Sequence, residues 1–322
     1  MMNVLVTGGY GFIGSHFVNA AFHAYPDATI VNLDAMYYSA AETNVKEAVR
    51  SSDRYVFVKG NVCSGDLVAH VLQGHNITHI VHFAAQSHVQ NSFDDSLQFT
   101  KDNVVGTHTL LECVRTYGKV ERFVHVSTDE VYGESMLEAD EQHKNEQSIL
   151  CPTNPYAATK AAAELLAQSY NHSFGLPIII TRGNNVYGPG QYPEKLIPRF
   201  IQLLREDKPV TIQGDGSATR AFMHVDDAAK AFLCVLDKGT IGEIYNIGCD
   251  DGSERTVLGV AKTLIGRLKP GDDPDKWIEY VEDRPFNDKR YYISNAKLKA
   301  LGWTQTVDFT IGVDSLVSNY CE

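Results

Sequence analysis

The stretch Val4-Leu5-Val6-Thr7-Gly8-Gly9-Tyr10-Gly11-Phe12-Ile13-Gly14 decides the fold. Val4–Val6 reads as a short apolar strand, and glycines follow at 8, 11 and 14 in G-x-x-G-x-x-G spacing. Glycines so placed allow a tight turn, a close approach of backbone to a pyrophosphate, and close helix–strand packing. The helix that opens here, with Phe12 and Ile13 in its first turn, aims its N-terminal N–H groups at the phosphates. Asp34 lies 20 residues beyond Gly14 at the end of the next apolar run. An acid there accepts from an adenosine ribose and repels a 2′-phosphate, which selects NAD over NADP.

Outward from this motif, Thr29–Leu33, Tyr55–Val58, Ile80–Phe83, Arg122–Ser127 and Pro177–Thr181 read as further strands separated by helically spaced apolar residues. Such alternation predicts an α/β fold: a doubly wound parallel sheet with helices on both faces. The pattern loosens after residue 182, where Gly188-Pro189-Gly190, Gly214-Asp215-Gly216 and Lys269-Pro270-Gly271-Asp272-Asp273-Pro274 punctuate the chain. The expected division is a dinucleotide-binding domain over 1–182, to which a segment near 220–247 returns, and a smaller substrate lobe over 183–322.

The 322 residues are 43% hydrophobic and 21% charged, ordinary values for a chain with a sizeable core. The net charge of -12 argues against a phosphate-backbone binder, so no nucleic-acid partner is expected. No apolar run reaches 18 residues, so no membrane span is expected. The six cysteines are scattered, with no C-x-x-C pair and no zinc-like cluster, which predicts reduced thiols and no metal. With no secretory signal visible before Val4, the expected compartment is the cytoplasm.

Tyr156-Ala157-Ala158-Thr159-Lys160 places a phenol and an ammonium at i and i+4, on one helical face. A nearby cation is expected to lower the tyrosine's pKa and make the phenolate a base toward a sugar hydroxyl. Thr128, at the end of the fifth strand, brings a hydroxyl to the same oxygen. Small residues after the fourth strand, Ala84 and Ala85, let a flat ring or a phosphate lie close.

Together these motifs resemble the extended short-chain dehydrogenase/reductase family over essentially the whole chain. Within it, Ser127-Thr128-Asp129-Glu130-Val131-Tyr132-Gly133 resembles the nucleotide-sugar 4,6-dehydratases. Sugar 4-epimerases of the family usually lack the carboxylate pair, and UDP-glucuronate decarboxylases typically have Ser before the Glu. The resemblance implies that Tyr156, Lys160 and Thr128 oxidise C4 with NAD. It implies that Glu130 takes the C5 proton, that Asp129 protonates the departing C6 hydroxyl, and that hydride returns to C6. It further implies that Asn61, Val62 and Asn103 help hold the cofactor. Ser87, His88, Asn185, Glu194, Lys195, Leu196, Arg220, Arg284 and Asn287 fall at positions that contact the nucleotide sugar. Relatives dimerise through a four-helix bundle, for which the candidates here are helices near 93–117 and 156–174.

Three departures bear on the substrate. Phe286-Asn287-Asp288 stands where dTDP-glucose dehydratases usually have Gly-His-Asp and resembles the UDP-glucose branch. Asn61 replaces a usual Asp. Gln90 replaces a common Asp in a loop that borders the sugar, which keeps UDP-N-acetylglucosamine beside UDP-glucose as the expected donor. A dTDP-linked substrate, added 5-epimerisation, and 4-epimerase or decarboxylase chemistry stay open at this level.

Overall fold

The computed structural model describes residues 2–135, 143–282 and 290–321. Six strands, β1 (Asn3–Thr7), β2 (Thr29–Asp34), β3 (Tyr55–Lys59), β4 (His79–His82), β5 (Arg122–Thr128) and β6 (Ile178–Gly183), coincide with the predicted runs to within two residues. The helices of ten or more residues among them are α1 (Phe12–Ala24), α2 (Gly65–Gly74), α3 (Gly106–Tyr117) and α4 (Pro155–Phe174). The chain then leaves the sheet through β7 (Asn185–Tyr187), α5 (Leu196–Arg205), β8 (Val210–Gln213) and β9 (Thr219–His224). It returns with α6 (Val225–Lys238) and β10 (Ile244–Ile247), and ends in β11 (Glu254–Thr256), α7 (Val257–Leu268), β12 (Ile278–Val281) and α8 (Phe309–Cys321).

The central sheet is parallel and ordered β10-β6-β5-β4-β1-β2-β3. Strand alternation sorts its two faces. Val4, Val6, Val81, Val124 and Ile179 pack with Phe17 and Val18 of α1 and Phe232 and Val235 of α6. Leu5, Ile80, Phe123 and Ile178 pack on the other side with Val71 of α2, Leu110 and Leu111 of α3, and Ala167 and Tyr170 of α4. A third core, including Ile201, Phe222, Val260 and Leu316, belongs to the segments beyond β6.

The return to the sheet starts at Val225. Thr219–His224 instead pairs in a three-stranded sheet ordered β11-β9-β7. Strand order reverses between β1 and β4; Thr7 of β1 pairs with Leu33 of β2 on one side and His82 of β4 on the other. That switch point is where an open α/β sheet offers a crevice at its carboxyl edge. Among the described residues no helix is long and apolar enough to cross a membrane, and the five described cysteines are free thiols.

Candidate active site

A cavity of about 330 Å³ opens at the switch point. Its floor is the glycine turn. Gly8 has φ +72° and a side chain there would sit 2.8 Å from the Ala84 backbone. A Cβ on Gly14 would sit 2.3 Å from the Gly8 carbonyl oxygen. Both positions therefore exclude side chains and leave bare backbone, with Gly11, Phe12 and Ile13 beside them on the cavity wall. Asp34 is buried; its two oxygens accept from the Tyr10 N–H (2.9 Å) and the Met36 N–H (2.7 Å). Each oxygen keeps a lone pair for a diol. Asn61, Val62, Ala84 and Ala85 complete this end of the wall. A bare-backbone cradle, a ribose acid and an apolar slot fit a dinucleotide.

The other end holds the chemistry. β5 delivers Thr128, and the 3-10 turn Asp129–Tyr132 follows at once. Thr128 Oγ1 accepts from the Glu130 N–H at 3.3 Å and donates to Asp129 Oδ1 at 3.3 Å. Asn184 Nδ2 donates to Asp129 Oδ2 at 2.6 Å. Burial, with Glu130 adding to it, pushes the Asp129 carboxyl up to about 7, against the pull of Asn184, Arg220 and Thr128. Asn154 caps α4 by accepting from the Ala157 N–H (2.8 Å), and its Nδ2 donates to Glu130 Oε2 (3.1 Å). With Pro155 at the first helical position, this cap sets where Tyr156 and Lys160 emerge.

Tyr156 and Lys160 share one face of α4 and both line the cavity. The expected lowering of the phenol's pKa is not found. Burial and then the Glu130 carboxylate hold Tyr156 well above the ordinary tyrosine range, and its hydrogen bond with Thr128 only partly offsets them. Lys160 Nζ instead donates to the Val126 carbonyl at 2.6 Å, and burial lowers it to about 8 despite Glu164. One of the three ammonium N–H groups is thus held by backbone, and two carboxylates act on the phenol.

Ser87, Asn185, Glu194 and Lys195 line the cavity, and Lys195 Nζ donates to the Ser87 carbonyl at 2.9 Å. Tyr38 donates to Glu194 at 3.1 Å, so the loop after β2 is tied to the start of α5. Four expected residues lie off the wall. His88 bonds Asn91 (2.8 Å) and stands 3.8 Å from Glu194. Leu196 opens α5 behind Lys195. Arg220 donates to the Thr219 carbonyl and lies over the Tyr291 ring, 4.9 Å from its centroid. Asn103 spends its amide on Gln86, both N–H and C=O, and on Thr159 Oγ1. Arg284 and Asn287 lie outside the described residues, as does Phe286-Asn287-Asp288. Gln90 is exposed and off the wall.

Sequence reading missed Asn154, Asn184 and Asp102. Only Asn154 carried a local signal, the Asn-Pro pair that opens a helix. Asn184 reaches Asp129 across 55 residues, and Asp102 sits on a π-helical turn, Thr100–Val105. No local pattern marks either contact.

Residues 5–316 match the family model described as GDP-mannose 4,6 dehydratase. The chain belongs to that family. A trifunctional UDP-glucose 4,6-dehydratase/UDP-4-keto-6-deoxy-D-glucose 3,5-epimerase/UDP-4-keto-L-rhamnose-reductase of Arabidopsis thaliana is 49% identical over 320 residues, 99% of this chain. This family member spans about half of that relative's length, 47%. The dTDP-D-glucose 4,6-dehydratase of Homo sapiens is 43% identical over 99% of this chain and 90% of its own. A crystal structure of a dTDP-glucose 4,6-dehydratase from Streptomyces venezuelae with NAD bound has a TM-score of 0.92 and 41% identity, covering 99% of this chain and 97% of that one. The Streptomyces structure thus shares the fold on which this cavity is built.

Proposed function

We propose that this chain is an NAD-dependent nucleotide-sugar 4,6-dehydratase that converts UDP-glucose to its 4-keto-6-deoxy sugar. The observation that carries the reading is the Asp129–Glu130 pair, set beside Thr128 and Tyr156 in one cavity with a dinucleotide cradle at its other end. The glycine turn, Asp34, Asn61 and Val62 would hold NAD, which would supply the acceptor for the hydride leaving C4 and the donor for C6.

The chain's own residues move the protons. Tyr156 Oη would take the O4 proton as the phenolate, the form that the positive ring of bound oxidised NAD would favour against burial and Glu130, and Thr128 and Lys160 orient the phenol and sugar. The C4 ketone acidifies the C5 proton, which Glu130 removes. Asp129, raised to about 7, still holds a proton near neutrality and gives it to the C6 hydroxyl, which leaves as water. Ser87, Asn185, Glu194 and Lys195 border the sugar and diphosphate, and Lys195 brings a local cation despite the net charge of -12. Arg220, Arg284 and Asn287 are proposed for the nucleotide, and His88, Leu196 and Asn103 as supports of the wall.

UDP-glucose is favoured by the 49% identity to the plant relative. dTDP-glucose is the second reading, favoured by the human relative and the Streptomyces neighbour. The division into a domain over 1–182 and a lobe over 183–322 is part of the proposal, as is a cytoplasmic homodimer. Leu97, Val105, Leu165 and Phe174, exposed on or just before α3 and on α4, are the apolar groups that such a four-helix interface would cover.

The test offers UDP-glucose, UDP-N-acetylglucosamine and dTDP-glucose separately to the purified protein with no added cofactor. Loss of one water from UDP-glucose alone, read by mass spectrometry, is the expected result. Turnover that survives Asp129→Asn and Glu130→Gln would end the dehydratase reading.

A further inference from the structure

In the proposed reaction hydride leaves C4 and returns to C6, so the dinucleotide is regenerated within each cycle and need not leave. The sugar nucleotide enters and leaves once per cycle through the same cavity. One occupant is resident and the other passes, and a restraint on the resident alone would keep the two apart.

The segment 188–195 borders that cavity through Gln191, Tyr192, Glu194 and Lys195. Side chains of the dinucleotide half hold it at both ends. His16, one turn into α1, donates from Nε2 to the Pro189 carbonyl at 2.9 Å. Tyr38, four residues beyond Asp34, donates from Oη to Glu194 Oε1 at 3.1 Å. One anchor thus follows the glycine turn and the other follows the ribose acid.

Tyr38 also closes a ring of four side chains. Asn91 Nδ2 donates to Tyr38 Oη at 3.3 Å, Asn91 Oδ1 meets His88 Nδ1 at 2.8 Å, and that nitrogen stands 3.8 Å from Glu194 Oε2. The Tyr38 and Tyr192 rings meet edge to face with centroids 5.2 Å apart. Burial and the Glu194 carboxylate push the Tyr38 hydroxyl up to about 12, so it stays a donor through the neutral range. Tyr38, His88 and Asn91 all lie off the cavity wall, and they hold Glu194 from outside it.

We propose that the Tyr38–Glu194 bond is a latch that closes the segment 188–195 over the dinucleotide, so that the cofactor stays while the sugar nucleotide exchanges. This inference rests on the NAD reading above. A latch differs from a binding contact in its kinetics. It opens for entry as for exit, so weakening it speeds both and leaves the affinity nearly unchanged. Loss of a contact with the ligand speeds exit alone.

The test mixes the purified protein, carrying its own dinucleotide, with excess isotopically labelled NAD. Samples are desalted at intervals, and the retained dinucleotide is released with acid and read by mass spectrometry. Tyr38→Phe keeps the half-exposed ring and removes the hydroxyl. The label is expected to enter this variant about tenfold faster than the unaltered protein, the worth of one hydrogen bond to a charged group. Refilling of protein stripped of its dinucleotide is expected to speed up by the same factor, which keeps Kd within about threefold. Combining Glu194→Gln with Tyr38→Phe is expected to give no further acceleration, because both remove the same bond. Unchanged exchange in Tyr38→Phe, faster exit with unchanged entry, or further acceleration in the double variant overturns the latch. An unaltered protein that purifies with no dinucleotide and takes up none overturns the NAD reading instead.

Discussion

Asn184→Asp tests whether Asp129 is the acid that expels water. Asn184 Nδ2 lies 2.6 Å from Asp129 Oδ2 and stabilises the ionised form, while Asn184 Oδ1 accepts from the Cys249 N–H at 3.0 Å. The substitution keeps the acceptor for Cys249, removes the donor to Asp129, and adds a like charge. Both changes disfavour ionisation of Asp129, so the apparent pKa of the pair rises. A hydrogen bond to a charged group is worth about 1.5–3 kcal/mol, so its loss alone moves the value by about one unit or more. In the proposed step Asp129 acts only when protonated, so the rate is expected to fall as pH climbs through the folded pKa, about 7. The protonated fraction then drops from about 0.9 at pH 6 to about 0.1 at pH 8. With the pKa moved to about 8 or above, about half or more of the acid survives at pH 8. The ratio of kcat at pH 8 to kcat at pH 6, read as 4-keto-sugar formed from saturating donor, should rise about fivefold. A falling limb that stays near 7, or moves to lower pH, would refute the assignment of Asp129 as the proton donor.

Three other outcomes are expected. Asn154→Ala should cost about 1 kcal/mol in urea unfolding through the lost helix cap, and kcat should fall with little change in KM as Glu130 loses its donor; Asn154→Asp should recover the stability and not the rate. Gly14→Ala drives a Cβ to 2.3 Å from the Gly8 carbonyl oxygen, so the purified variant should carry no dinucleotide, and a full complement by mass spectrometry would show that the turn is not the cradle. Glu164→Leu strands Arg182, whose side chain is 3% exposed and ion-paired to it, so unfolding stability should drop by about 3–5 kcal/mol; a loss under about 1 kcal/mol would mean that Tyr132, which accepts from Arg182 Nη1 at 2.7 Å, suffices for the guanidinium.

Much of the frame was legible because its causes are local. The turn at Gly8–Gly14, the acid 20 residues on, and Tyr156 with Lys160 one turn apart each encode a backbone requirement within a short window. The Asp129–Glu130 pair was visible for the same reason, since both follow directly from the end of β5. What escaped were properties of the packed cavity. The bonds of the Asn103 amide to Gln86 and Thr159, and the π-helical turn that aims it, have no simple periodic signature. The phenol of Tyr156 was expected to be lowered by Lys160; the outcome depends on burial and on carboxylates brought in by another strand.

Those carboxylates share a feature that spacing does not reveal. Asp129 takes Asn184, Glu130 takes Asn154, and Asp102 takes Asn61, Gln86 and Gln98, in each case a neutral amide donor. An arginine fork at Asn184 would satisfy the same oxygen, but it would draw the Asp129 pKa far below neutrality and leave no proton to give. An amide fills the lone pair and fixes the rotamer while burial still sets the proton affinity near 7. It follows that cations cannot replace these amides without changing the chemistry. Asn184→Lys should hold Asp129 ionised, and C4 oxidation, seen as nicotinamide reduction on mixing with the sugar, should then persist while water loss stops. If water loss continued at neutral pH in that variant, the protonation state of Asp129 would not be what the amide is there to protect.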